Sequence, residues 1–202
     1  MLALVATLAL LSPVPVPPAG VTDSTPAPAI WKVDKTHSEL SFRIRHLVSN
    51  VSGTFLDWDA TITGDPADWS AGSVVVNIRT ASITTNNDRR DTHLKSSDFF
   101  DVVTYPDLTF KSTSVKVSGE TVTLVGDLTM RGVTRSVTLA GSYHGIQKVE
   151  NGRDRVGFDV TTTINRLDYG VSYNRTVEGG GVLLGDDVTI QVSVAAVRQP
   201  VT

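Results

Sequence analysis

The side chains able to do chemistry in this chain are four histidines, His37, His46, His93 and His144, with Asp91 and Asp98 close to the third in sequence. Histidine and aspartate are the parts of a zinc or non-haem iron site. The spacing argues against one: each histidine falls on a separate element, with no His-x-His or His-Glu-x-x-His grouping. Dispersed histidines serve most simply as hydrogen-bonded structural residues. Serine-nucleophile chemistry has no Gly-x-Ser-x-Gly to start from. Gly179-Gly180-Gly181 lacks the Lys-Ser/Thr that completes a phosphate loop. No catalytic set, metal or cofactor is therefore expected. A metal-dependent enzyme using the dispersed His and Asp residues stands as one alternative to a binding protein, and a non-binding structural β-module as another.

Composition narrows the classes further. The 202 residues carry a net charge of −3, with 19% charged residues, which is an ordinary balance for one good-sized domain. The densest basic run, Arg89-Arg90, is flanked by aspartates, so no nucleic-acid partner is expected. There is no cysteine, which removes disulfides, iron–sulfur clusters, thiolate zinc sites and a lipoprotein cysteine anchor together.

Residues 1–11 form an apolar run of signal-peptide length, too short to span a bilayer, and no Lys or Arg precedes it. Prolines follow at Pro13, Pro15, Pro17, Pro18, Pro26 and Pro28, the composition of a flexible or polyproline tether. Ala27-Pro28-Ala29 has the small-x-small form of a cleavage site, and Pro18-Ala19-Gly20 is a second candidate. The expectation is a signal peptide and tether over 1–29, an exported product, and one folded domain over 30–199.

One stretch breaks an otherwise period-two chain. Asn86 to Phe100 packs Asp88, Arg89, Arg90, Asp91, His93 and Lys95 together and closes on Phe99-Phe100. Thr85 and Asp88 have the Ser/Thr-x-x-acid spacing of a helix start, which predicts a helix of about two turns ending near Leu94. A single helix in an all-β chain is either a polar surface helix with Asp–Arg pairs or a cap over a sheet or barrel end. In the cap reading Leu94, Phe99 and Phe100 close a mouth, while Arg90, Asp91 and His93 hold the position and meet solvent or a polar head group.

The rest alternates. Glu39 to Val48 places Leu40, Phe42, Ile44, His46 and Val48 on one side. Val51 to Thr63 reads as one strand whose alternation slips between Phe55 and Trp58, as at a bulge. Further strands follow over Ser73 to Thr80, Tyr105 to Val117, Thr121 to Met130 and Val133 to Ile146. Asn151-Gly152 is a turn signal. Val156, Phe158, Val160, Thr162 and Ile164 alternate without a break, Arg166 to Leu184 is irregular, and Val188 to Ala196 forms the last strand. One apolar face per strand fits an antiparallel barrel or a sandwich. Gly126 and Gly141 lie in phase with apolar neighbours, leaving room either for close strand approach or for a ligand.

Several motifs occur in series: His37-Ser38, Phe42-Arg43-Ile44-Arg45-His46, Gly53-Thr54-Phe55, Arg90-Asp91-x-His93-Leu94 and Ser97-Asp98-Phe99-Phe100. Tyr105-Pro106, Phe110-Lys111-Ser112, Gly126 to Thr134 and Gly157-Phe158 complete it. In that order and at those spacings, over about residues 30–198, the chain resembles the YceI family of exported bacterial proteins. The resemblance implies an extended, lipocalin-like, eight-stranded antiparallel barrel with one short helix inserted between strands. It also implies an apolar tunnel holding a polyisoprenoid or an isoprenoid quinone-like lipid. An eight-stranded barrel is about the size that holds one small ligand. The residues expected to line the tunnel are Phe42, Ile44, Phe55, Val76, Leu94, Phe99, Leu128, Leu139, Phe158, Val160 and Ile164, with Arg90, Asp91 and His93 at a polar mouth. Transient contact with a membrane is compatible with such a carrier, as is either a monomer or a dimer.

Overall fold

The computed structural model describes residues 28–149, 153–176 and 182–200. The expected leader, the tether up to residue 27, the Asn151-Gly152 turn and Gly179-Gly180-Gly181 lie outside the described residues.

Eleven strand segments form one antiparallel sheet: β1 (Ala29–Val33), β2 (Glu39–His46), β3 (Ser49–Phe55), β4 (Trp58–Asp65), β5 (Asp68–Arg79), β6 (Ile83–Thr84), β7 (Asp107–Ser118), β8 (Thr121–Met130), β9 (Val133–Gln147), β10 (Arg155–Asn165) and β11 (Leu184–Arg198). Pairing reduces them to eight barrel strands. β1 and β2 lie end to end along β11, through Trp31↔Arg198 and Phe42↔Ile190, interrupted by a 3-10 turn at Lys35–His37. β3 pairs with β2 and β4 with β1, so these two share the next barrel position. β5 pairs with β4 and β6 with β3, making the third. β7 to β11 then follow in simple up-and-down order. The β1–β11 pairing closes the ring, which removes the free edges an open sandwich would leave.

The expected strand Val51 to Thr63 is thus two strands, with Leu56-Asp57 between them. Phe55 and Trp58 are both 5% exposed, yet residues three apart face opposite sides of a straight strand. The chain bends at Leu56-Asp57 so that both point inward, and Leu56 is left exposed. The strand expected to run to Val48 stops at His46: Leu47 takes φ 52 at the hairpin tip, and Val48 is 95% exposed rather than inward.

Helix α1 (Asp88–Lys95) matches the expected helix, but its cap is Asn87, not Thr85. The Asn87 side chain accepts the Arg90 backbone N–H at 3.0 Å. Thr85 is engaged elsewhere, as described below.

The inward faces make one core, and the two in-phase glycines sit within it at close approaches. A Cβ on Gly141 would strike the backbone of Asp159 on the paired strand, and one on Gly126 would strike the Phe110 ring and the Lys111 carbonyl. These glycines let strands and an aromatic ring approach closely; they leave no room for a ligand. At the end of the barrel away from α1, Trp69 packs against Trp31, Tyr143 and Phe158, with ring centroids 6.2, 6.0 and 5.5 Å apart. Tyr143 stacks on Phe158 at 5.0 Å. Trp31 and Trp69 are 0% and 4% exposed, so this end is closed by an aromatic plug.

Candidate functional site: an apolar tunnel with a basic mouth

Side chains leave a cavity of about 450 Å³ along the barrel axis. Natural interiors contain few voids larger than a water molecule, and a space of this size falls in the range of ligand pockets. The wall is almost wholly hydrocarbon. Phe42 and Ile44 face it from β2, Phe55 from β3 and Val76 from β5. Leu128 on β8, Leu139 on β9, and Phe158, Val160 and Ile164 on β10 continue the wall; Leu94 of α1 and the following Phe99 close over it. The structure therefore brings all eleven expected lining residues around one cavity. Sequence reasoning missed Trp69, Tyr173, Arg166 and Arg175, which also line it. Trp69 stands at the start of β5, out of phase with the inward Val74, Val76 and Ile78 of the same strand, and the other three lie in the irregular stretch after β10, so no periodicity marks them as inward. The β11 residues Val188, Ile190, Val192 and Val194 also face it, and their alternation did mark them.

The α1 end is built from buried polar contacts. Asp91, 7% exposed, accepts the Thr85 backbone N–H at 2.9 Å and the Thr84 hydroxyl at 3.0 Å, and the Thr85 hydroxyl closes onto the same carboxylate. Burial pushes the Asp91 pKa up, but the hydrogen bonds from Thr85 and Thr84 and the Arg90 charge outweigh it and hold it below the usual carboxylate value. Arg90 donates from Nε to the Thr85 hydroxyl at 2.7 Å and from Nη2 to the Thr85 carbonyl at 2.9 Å. Asp91 thus holds the helix in position, as the cap reading expects, but it does so from inside the structure and does not meet solvent at the mouth. The His93 ring meets Phe99 at 5.0 Å and Tyr173 at 4.8 Å, which ties α1 to the loop between β10 and β11. Arg131 donates to the carbonyls of Ser97 and Phe99, fixing the segment after the helix to the β8–β9 turn.

The histidines do not converge. His37 bonds Asp34 at 3.0 Å, His93 bonds Asp98 at 2.8 Å and His144 bonds Asp159 at 2.8 Å, in three separate places. His46 lies at the end of β2 on the cavity wall. Among the described residues no three His, Asp or Glu side chains gather as metal ligands would.

A closed antiparallel barrel around one apolar, ligand-sized cavity, plugged at one end and helix-capped at the other, is a lipocalin-like binding barrel. Residues 31–196 match the model of the YceI-like domain, and the chain belongs to that family. A UPF0312 protein of Staphylococcus aureus (strain MW2) is 41% identical over 162 residues, covering 79% of this chain and 92% of its own. The crystal structure of a Campylobacter jejuni YCEI protein superposes with a TM-score of 0.67 at 34% identity, covering 83% of this chain and 97% of that one. A polyisoprenoid binding domain from Saccharophagus degradans shares the fold at a TM-score of 0.61 and 18% identity, covering 84% of this chain and 98% of that one.

Proposed function

We propose that this protein is an exported carrier or sequestering protein. It holds a polyisoprenoid, or a related long-chain amphiphile such as an isoprenoid quinone-like lipid, in the barrel. The observation that carries this reading is the cavity: about 450 Å³, walled by aliphatic and aromatic side chains from strands all round the barrel, and mostly apolar where a catalytic pocket needs convergent polar groups. The polyisoprenoid-binding description of the Saccharophagus degradans neighbour agrees with it. Binding rather than catalysis is supported by the separate pairing of His37, His93 and His144 with single aspartates. Export is supported by the apolar run and proline-rich tether of residues 1–29. Transient membrane contact is supported by Leu47 and Val48 at the β2–β3 tip and Val182 beside them, which expose apolar side chains at the α1 end of the barrel.

The test is native mass spectrometry and organic extraction of the protein purified from its own host. One long-chain prenyl lipid per barrel is expected. A barrel that releases no lipid and refuses prenyl probes would return the assignment to a structural β-module; a stoichiometric metal with turnover would return it to an enzyme. Intact mass of the envelope fraction should show a chain beginning between Val21 and Ile30, and Met1 retained on cytoplasmic protein would overturn export.

A further inference from the structure

Closure of the ring through β1 and β4 leaves a stretch of main-chain edge on β3 without a strand neighbour among the described residues. β3 pairs with β2 from Ser49 to Thr54, but on its other side β6 meets it only through Thr54↔Thr84 and Phe55↔Ile83. Continued in that register, the chain after β6 would lie opposite Gly53, Ser52 and Val51. Instead Asn86 takes a left-handed φ of 58 and turns the chain into α1. The β2–β3 hairpin has the two-residue loop Leu47-Val48, so His46 and Ser49 form a hydrogen-bonded pair and the pattern alternates from there. The N–H and C=O groups of Asn50 and Ser52 therefore point away from β2, toward the side that β6 does not cover.

Natural edge strands are blunted by lysine, proline, a bulge or a covering element. Ser49-Asn50-Val51-Ser52-Gly53 carries no charge and no proline, and its register against β2 has no shift. Ser49, Asn50 and Ser52 are exposed.

The surrounding side chains define what fits this edge. Asn50 and Ser52 face outward, directly across from Arg45 and Arg43 on β2. Both arginines are exposed, and among the described residues neither has a carboxylate within ion-pair distance. Arg45 spends Nε on the Leu47 carbonyl at 3.0 Å, which leaves its terminal nitrogens for another acceptor. Long arginine stems reach across the short Asn50 and Ser52 side chains to the next strand position. On the inner face Val51 borders the tunnel.

We propose that the β3 edge docks an extended segment of a partner protein, added as a strand antiparallel to β3 and in line with β6. Its acidic side chains face Arg43 and Arg45, and its apolar ones turn inward beside Val51. The main chain supplies affinity, and the arginines supply selection. This surface goes beyond the carrier reading and does not depend on what the tunnel holds. A partner held there lies beside the α1 mouth.

The test uses a short blocked peptide of alternating glutamate and valine, titrated into the full-length protein and followed by amide NMR shifts and fluorescence polarisation. The Asn50 and Ser52 amides should shift and exchange more slowly. The glutamate peptide should bind about fivefold to tenfold more tightly than its lysine counterpart, with the margin shrinking as salt rises. Methylating its backbone nitrogens should abolish binding. Ser52→Pro removes an outward N–H without touching the β2 ladder and should weaken binding at least tenfold. Arg43→Gln and Arg45→Gln should each narrow the glutamate-to-lysine ratio, and they keep the test sound if Ser52→Pro misfolds. Lys111→Gln, exposed on β7, should leave the ratio unchanged. No binding of any peptide, or equal binding of the methylated one, overturns strand addition. Equal binding of the lysine peptide overturns the acidic partner. A dimer that Ser52→Pro dissociates makes a second copy of this chain the occupant and overturns the proposal as well.

Discussion

The carboxylate of Asp91 sits 2.9 Å from the backbone nitrogen of Thr85 and receives that residue's hydroxyl as well, so the only α-helix among the described residues is tied to the sheet through one buried acid. Removing this side chain strands three donors under α1, the Thr85 N–H and the hydroxyls of Thr84 and Thr85. Asp91→Ala should lower stability by about 1–3 kcal/mol, read from urea melts at neutral pH. A loss too small to measure would show that the helix is held by Leu94 and Phe99 alone.

The same acid predicts a pH response. Its folded pKa lies below the ordinary 3.8, so the unfolded chain takes up the proton first. The stability it contributes is fully present above pH 3.8 and is lost as pH falls through the lowered folded value. Melts of the wild type between pH 5 and about pH 2 should show an acid-side decline that Asp91→Asn makes shallower. Parallel declines in the two proteins would place the acid sensitivity elsewhere.

Val160 faces the cavity from the middle of β10. In a filled core Val160→Trp would overpack, at about 1–3 kcal/mol. Here the indole has ligand volume to enter, so delipidated protein should melt near the wild-type temperature while extracted lipid falls. Thr162→Arg, on the same face, puts a charge among apolar side chains and should damage both folding and binding. Full lipid occupancy in Val160→Trp would show that β10 does not line the bound chain.

The plug offers a paired comparison. Trp31 donates from Nε1 to the Gly64 carbonyl at 3.1 Å, whereas Trp69 Nε1 has no partner among the described residues although the residue is 4% exposed. Trp31→Phe forfeits a buried hydrogen bond, which costs about 1 kcal/mol. Trp69→Phe forfeits none and should cost less, while Trp69→Ala should cost about 3–5 kcal/mol and lengthen the tunnel. Thermal melts rank the three, and a Trp69→Phe loss as large as that of Trp31→Phe would mean that Trp69 Nε1 has a partner in solution.

Arg166 is 3% exposed and its guanidinium reaches the carbonyls of Gly185, Val171 and Tyr173 as well as Asp186. A lysine ammonium cannot span that fork. Arg166→Lys should destabilise by about 1–3 kcal/mol and loosen the Tyr173–His93 contact, seen as faster amide exchange in residues 171–175. Wild-type exchange there would sink the idea that this arginine shapes the mouth.

Much of the barrel was readable because strand alternation is a local property. Period two put Val122, Leu124, Leu128 and Met130 on one face of β8, and all are buried. The same rule placed Phe158, Val160 and Ile164 toward the interior, and it flagged the irregularity after Phe55 as a slip. What alternation cannot say is whether that slip is a bulge inside one strand or a corner between two. That depends on which neighbours β3 and β4 pair with, and those neighbours, β2 and β1, are set by closure onto β11.

Sequence by itself determined the strand faces, the position of the one helix, the absence of thiol chemistry, and, through the serial motifs, the family. Only the tertiary structure decided that the ring closes, that Gly126 and Gly141 mark close approach, and that Asp91 turns inward to Thr85. It alone gathered Arg90, Arg166 and Arg175 from stretches far apart in the chain onto one wall. The physical reason is that a face is written in neighbours two residues apart, whereas a cavity and its charge are written in contacts between strands that meet only when the barrel is complete.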